Sequence, residues 1–125
     1  MDIKDNILDA IGNTPLVRLN KVVPEGAATI LAKCEYMNPT GSIKDRMAGF
    51  IIEQAEEEGL LKPGGTIVEN TSGNTGQSIA MAAAVKGYRC VFTLPDKMSQ
   101  EKIDMMRAYG AEVVITPTDV PGDSP

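Results

Sequence analysis

From residue 64 onward the apolar positions alternate between short β-type runs and helical stripes. Gly64-Gly65 turns the chain into a strand at Thr66-Ile67-Val68-Glu69. A helix is predicted over residues 75–86, stopping at Gly87. Its centre, Ile79-Ala80-Met81-Ala82-Ala83-Ala84-Val85, is apolar nearly all round, which marks a buried helix whose small alanines can lie close to a sheet. Arg89-Cys90-Val91-Phe92-Thr93-Leu94 reads as the next strand, ended by Pro95. Ser99 can cap a helix running to Tyr109, with Ile103, Met106 and Tyr109 on its inner face. Gly110 ends it, and Glu112-Val113-Val114-Ile115-Thr116 is the last strand. Strand, helix, strand, helix, strand implies a parallel sheet with right-handed crossovers. The fold class is α/β, with a parallel three-layer sheet.

The N-terminal part is less regular. A short helix over residues 3–10 is expected to end at Gly12-Asn13, and Thr14-Pro15 restarts the chain as the strand Leu16-Val17-Arg18-Leu19. Thr29-Ile30-Leu31-Ala32-Lys33-Cys34-Glu35-Tyr36 alternates in part and reads as a second strand, able to pair with the first as an antiparallel hairpin. Then a helix is expected over residues 42–58. Ile43, Met47, Phe50, Ile51 and Ala55 recur along it at helical spacing, Glu56-Glu57-Glu58 forms a solvated end, and Gly59 is the stop. The tail from Thr116 to Pro125 is turn-rich and reads as a linker cut short. The domains expected are N-terminal strands of a larger domain over 1–40, a small α/β domain over 41–117, and that linker over 118–125.

Two stretches carry candidate chemistry. In Asn38-Pro39-Thr40-Gly41-Ser42-Ile43-Lys44-Asp45-Arg46, Pro39 and Gly41 mark a tight loop. Ser42 and Asp45 have the spacing of a capping box. Lys44 then falls in the first turn of a helix, where the dipole is positive and a cation typically costs ~0.3–1 kcal/mol. That setting favours the neutral amine needed to attack a carbonyl. An isolated S-x-K-D is more often a solvated surface lysine following a turn.

The second stretch, Thr71-Ser72-Gly73-Asn74-Thr75-Gly76, lies at the carboxyl end of a strand and the start of a helix. Ligands of open parallel sheets bind in that place. Hydroxyls, an amide and free backbone N–H groups at a helix N-terminus suit a carboxylate or phosphate. Taken alone, the six residues fit an ordinary strand-to-helix turn equally well. Neither a G-x-G-x-x-G nor a G-x-x-x-x-G-K-[ST] pattern is present, so dinucleotide and P-loop readings have no direct support.

Composition narrows the classes. The 125 residues are 42% hydrophobic and 23% charged, as in an ordinary soluble globular protein with a real core. A net charge of −5 with 4% aromatics argues against nucleic-acid binding. No apolar run approaches the ~20 residues that span a membrane, and the first residues lack a signal-peptide core, so the expected location is cytoplasmic. The two cysteines, Cys34 and Cys90, match no zinc or redox spacing and are expected as buried, reduced thiols. With no histidine, neither a structural zinc site nor a His-ligated haem is expected.

Together the two motifs are specific. Pro39-Thr40-Gly41-Ser42-Ile43-Lys44-Asp45-Arg46 followed by Thr71-Ser72-Gly73-Asn74-Thr75-Gly76 resembles the fold-type II pyridoxal-phosphate enzymes, the cysteine synthase and cystathionine β-synthase family. Ile11-Gly12-Asn13-Thr14-Pro15-Leu16-Val17-Arg18 looks like that family's opening strand motif. Leu31-Ala32-Lys33-Cys34-Glu35, Lys86-Gly87-Tyr88-Arg89-Cys90, Lys97-Met98-Ser99-Gln100-Glu101-Lys102 and Asp123-Ser124-Pro125 look more like the cystathionine β-synthase branch.

The resemblance implies pyridoxal 5'-phosphate as cofactor, Lys44 as its Schiff-base lysine and later the base for the Cα proton, and Asn74 as partner of the ring hydroxyl oxygen. It implies Thr71, Ser72, Asn74 and Thr75 as the grip on the substrate's α-carboxylate. The chemistry implied is β-replacement: serine or an activated serine loses its β-substituent and a thiol adds. The favoured reaction forms cystathionine from serine and homocysteine. Cysteine synthase, serine/threonine dehydratase and a non-catalytic module that binds a carboxylate or a partner chain are the alternatives. A homodimer is implied for the full-length enzyme. The family's phosphate-cradling loop and pyridine-nitrogen partner belong to a later half of the core, so this chain alone is expected to lack β-replacement activity and to bind cofactor loosely at best. Thr40, where many members have glycine, is a minor departure.

Overall fold

The computed structural model describes residues 1–71 and 73–119. Two short strands, β1 (Leu16–Arg18) and β2 (Leu31–Lys33), pair antiparallel with Val17 opposite Ala32. The helix α1 (Lys44–Glu57) follows. Then come β3 (Thr66–Asn70), α2 (Asn74–Lys86), β4 (Arg89–Pro95), α3 (Gln100–Ala108) and β5 (Glu112–Thr116). The last three strands form a parallel sheet in the order β3-β4-β5, with Ile67 level with Cys90 and Phe92 level with Val113.

The strand order runs in one direction, so right-handed crossovers carry α2 and α3 over the same face. Burial along β4 agrees: Cys90, Phe92 and Leu94 are buried, while Val91 and Thr93 between them are partly open. Phe92 and Leu94 are fully buried in a cluster with Ile79, Ala83, Ile103 and Met106. Each such large side chain contributes about 1.5–3 kcal/mol by leaving water. Of the layers expected, the described residues supply the sheet and the helices on one face. The other face carries Val68, Val91 and Val114, with Val68 68% exposed.

Helix α1 lies against α2, and it does so with a different stripe from the expected one. Asp45, Ala48 and Ile52 are its buried positions, whereas Ile43, Phe50 and Ile51 are each more than half exposed. The reason is complementarity with the alanine-rich α2, which accepts the small Ala48 and one branched side chain. The glutamate run also differs from expectation. Glu56 is no solvated end residue: its carboxylate accepts from Lys86 Nζ at 2.7 Å and from Tyr88 Oη at 2.5 Å, pinning the end of α1 to the end of α2. Lys86 is the first cause holding the Glu56 carboxyl below its ordinary range, and the bond to Glu56 raises the Tyr88 phenol.

Three further expectations are corrected. The first helix is only a 3-10 turn, Ile7–Ala10, because Asn6 caps it: Asn6 Oδ1 accepts from Leu8 N, and Asp9 accepts from Asn6 N. The second strand stops at Lys33, since the chain bends into a 3-10 turn at Glu35–Met37 that aims Glu35 at Arg46. Ser99 precedes α3 but makes no side-chain cap. Gly59 and Gly87 end α1 and α2 in left-handed conformation, as read from the sequence. Cys34 and Cys90 are buried free thiols, and burial pushes the Cys90 thiol up to about 11. No helix among the described residues is long and apolar enough to cross a membrane.

Candidate active site

Lys44 is the first residue of α1, and its backbone N–H donates to Ser42 Oγ at 3.1 Å. The capping box expected between Ser42 and Asp45 does not form. Asp45 instead turns back on the loop, where Oδ2 accepts from Thr40 N at 2.8 Å and Oδ1 accepts from the Thr40 hydroxyl. Ser78, on α2, donates to the same Oδ1 at 2.6 Å. Asp45 and Ser78 are both fully buried.

The next residue, Arg46, points to the other side. Its Nε donates to Glu35 Oε2 at 2.9 Å, and its guanidinium also donates to Thr14 Oγ1 at 3.1 Å. Glu35 further accepts from Thr14 Oγ1 and Asn38 Nδ2, and Asn38 Oδ1 accepts from Gly12 N. The Arg46 hydrogen bond, followed by that of Thr14, holds the Glu35 carboxyl down to about 2 from an ordinary 4.5. Lys44 is therefore followed directly by two anchored residues. Lys44 is partly buried as a residue, and its amine has no hydrogen bond or ion pair with the described residues.

The second motif is built differently. Thr71, at the end of β3, is buried, and its Oγ1 accepts from Gly73 N at 3.3 Å and Gly76 N at 2.9 Å. Its oxygen thus caps the first turn of α2. Gly73 has φ +150°, and a Cβ there would stand 2.7 Å from Lys102 Nζ. A Cβ on Gly76 would stand 2.4 Å from Thr71 Cγ2. Only glycine lets the turn close this tightly.

Asn74 is exposed and Thr75 half-buried. Neither side chain is hydrogen-bonded to the described residues, and their two backbone amides lie in the first helical turn, where no intrahelical acceptor exists. Such donors suit an anion. Ser72, the remaining residue of the expected carboxylate grip, lies outside the described residues, as do Asp123, Ser124 and Pro125.

The structure brings the two motifs together. Ser78 Oγ is 2.6 Å from Asp45 Oδ1 and also 2.9 Å from the Asn74 carbonyl of its own helix, so its bond to Asp45 ties the residue after Lys44 to the first turns of α2. Beside them a cleft of about 390 Å³ runs between α1 and β3, lined by Met47, Ile51, Val68, Thr75 and Ile79 among others. Sequence reasoning missed Ser78, Thr40 as a bonding partner, and Lys102. A serine one helical turn after Asn74, within an otherwise apolar stripe, was the available signal for the first.

Comparison with known proteins agrees with this geometry. A family model described as "Pyridoxal-phosphate dependent enzyme" matches residues 7–124. The chain belongs to the pyridoxal-phosphate-dependent enzymes and, within them, to the fold-type II family of cystathionine β-synthase and cysteine synthase. It is 54% identical over 123 residues to a cystathionine β-synthase of Dictyostelium discoideum, covering 98% of this chain and 25% of that protein. It is also 54% identical over 117 residues to a probable cysteine synthase of Bacillus subtilis (strain 168), covering 94% of this chain and 38% of that protein. Among solved structures, an O-ureido-L-serine synthase superposes with TM-score 0.90 at 46% identity, covering 98% of this chain and 38% of that one. The chain thus spans between a quarter and two fifths of these relatives.

The residues present fit pyridoxal phosphate, the cofactor of this family. They offer a lysine amine free of described partners on a fixed helix start, an unengaged asparagine amide, and a glycine-built turn with open donors.

Proposed function

We propose that this chain supplies the cofactor lysine and the substrate-carboxylate turn of a β-replacement enzyme that forms cystathionine from serine and homocysteine. The observation that carries the reading is the buried bond from Ser78 to Asp45, which ties a lysine-bearing helix start to the helix that begins at Asn74. When bound, pyridoxal phosphate supplies an electron sink for the substrate's Cα.

The chain's own residues do the rest. Lys44 holds the cofactor through its Nζ and afterwards accepts the Cα proton at that atom. The Asn74 amide donates to the ring oxygen. Thr71, Ser72, Asn74 and Thr75 take the α-carboxylate, and the amides at the start of α2 add an orienting positive field. Lys102, whose ammonium stands against Gly73, reinforces that field. Fixing the carboxylate fixes the direction of the Cα–H bond relative to Lys44.

A second reading, cysteine synthase with an activated serine and sulfide, has the support that such a relative matches as closely as the cystathionine synthase does. We further infer that residues 1–40 join a larger domain while 41–117 form the small one, and that the full-length enzyme is a cytoplasmic homodimer. The test is an assay of the full-length enzyme with serine plus homocysteine against acetylserine plus sulfide. Faster turnover of the first pair is expected. Turnover of the second alone would move the assignment to cysteine synthase, and turnover of neither would remove the β-replacement reading.

A further inference from the structure

Ser78 is out of character for its surroundings. It lies in α2 beside Ile79, Ala80, Met81, Ala82 and Ala83, all buried, and it is itself fully buried. Alanine has the higher helix propensity, by a few tenths of a kcal/mol. A hydroxyl in such a place is costly unless it is bonded. Asp45, its partner, is also fully buried, and no cation lies within ion-pair distance among the described residues. A polar triad of Thr40, Asp45 and Ser78 therefore occupies ground that apolar side chains could fill with less risk. One end of the triad is the residue next to Lys44, and the other is one helical turn from Asn74.

We propose that Asp45 and Ser78, with Thr40, are positioning residues: a buried strut that fixes where the Lys44 amine stands relative to the Asn74 turn. This rests on the reading of Lys44 as the cofactor lysine. Successive helical side chains diverge by about 100°. Asp45 therefore fastens the first turn of α1 to α2 while Arg46 fastens it to Glu35 beside the hairpin. With the two residues after Lys44 fastened in different directions, the turn is held against rotation and sliding, and the backbone that carries the Lys44 side chain is fixed. Ser78 has a single proton for two acceptors, Asp45 Oδ1 at 2.6 Å and the Asn74 carbonyl at 2.9 Å, and the charged carboxylate takes it. Losing that hydroxyl would loosen the start of α1 against α2 with no group of the reaction removed.

The experiment measures the rate at which added pyridoxal phosphate becomes attached to Lys44 in the cofactor-free full-length enzyme. Aliquots are quenched with borohydride, and the Lys44 peptide is quantified by mass spectrometry. Ser78→Ala and Asp45→Asn are compared with Ile103→Val, a buried change in α3 that removes no hydrogen-bonding group, and melting temperatures are recorded for all. Misplacement of a reacting group by as much as an ångström costs up to about a hundred-fold. The expected result is attachment slowed roughly ten-fold or more in Ser78→Ala and in Asp45→Asn, well below their melting transitions, with Ile103→Val like the parent. An unchanged rate in Ser78→Ala, or equal slowing in Ile103→Val, would overturn the strut while leaving Lys44 in its role. Attachment to another lysine in the unaltered enzyme would overturn both.

Discussion

The two helix starts that carry the chemistry are built on opposite plans. At the start of α1 almost every polar group is taken: Asp45 by Thr40 and Ser78, Arg46 by Glu35 and Thr14, Ser42 by the Lys44 amide. At the start of α2 the buried part is taken and the rest is open. Thr71 caps Gly73 and Gly76, while Asn74 and Thr75 keep their amides and side chains unengaged by the described residues. An amine that holds a cofactor and, once released, serves as the base beside it needs a fixed seat, and the first turn provides one. A substrate that arrives and leaves each cycle needs donors already aimed but unpaid, and the second provides those. Preorganised donors of this kind are worth most where nothing must move as the ligand binds.

The comparison is open to attack at several points. The largest effect should come from Lys44→Ala, which removes the one side chain at the α1 start left without a described partner. Cofactor absorbance that survives dialysis should vanish from the full-length enzyme, while melting changes little. Asp45→Ala should come next, as a stability effect. It leaves the half-buried Thr40 amide without its acceptor and returns the Ser78 hydroxyl to the Asn74 carbonyl of its own helix, and bonds to a charged group of this kind are worth about 1.5–3 kcal/mol each. A denaturant titration should show a loss of roughly 3 kcal/mol, and a loss below about 1 kcal/mol would mean that the network is dispensable.

Gly76→Ala probes the other plan. Its Cβ would stand 2.4 Å from Thr71 Cγ2 and 3.1 Å from Met106 Sδ. Overpacking of this sort costs about 1–3 kcal/mol, and here it should also spoil the turn, so substrate affinity should fall along with stability. Thr75→Ala, by contrast, leaves the scaffold intact. It should weaken substrate binding by roughly 1.5–3 kcal/mol through one lost bond to a carboxylate, with cofactor absorbance unchanged. Release of cofactor with substrate affinity intact would show that the two starts had been assigned in reverse.

How much of this could be read from the residues varies with the kind of contact. The strands and helices from Thr66 to Thr116 follow from alternation and helical stripes, because burial on one face imposes those periods. The inner face of α1 did not follow, since two apolar stripes compete there and only the alanines of α2 decide between Ile52 and Ile51. The two motifs were legible as strings. Their joining was not. Asp45 has the spacing of a capping partner for Ser42, and nothing local reveals that its carboxylate goes to Thr40 and to a serine 33 residues away. Thr40 itself passed as a minor departure from the family pattern, yet it supplies two of the three donors on Asp45.

The smallest effect expected is on acid stability. Glu35 sits at about 2 because the Arg46 guanidinium bonds its ionised form. A depressed carboxylate contributes stability above its ordinary 4.5, and that contribution is lost as pH falls from there through about 2. Glu35→Gln should therefore flatten the acid side of the stability curve between those values and change little near neutrality beyond a constant offset. An unchanged acid slope would mean that the Arg46 anchor of the first turn is not formed in solution.

The central claim is that the rigid start of α1 carries the cofactor. Its most direct test is borohydride reduction of the full-length enzyme loaded with pyridoxal phosphate, followed by peptide mapping. The account expects one equivalent of reduced cofactor on the peptide containing Lys44. Cofactor fixed instead at Lys33, Lys86 or Lys102, or spread over several lysines, would contradict it.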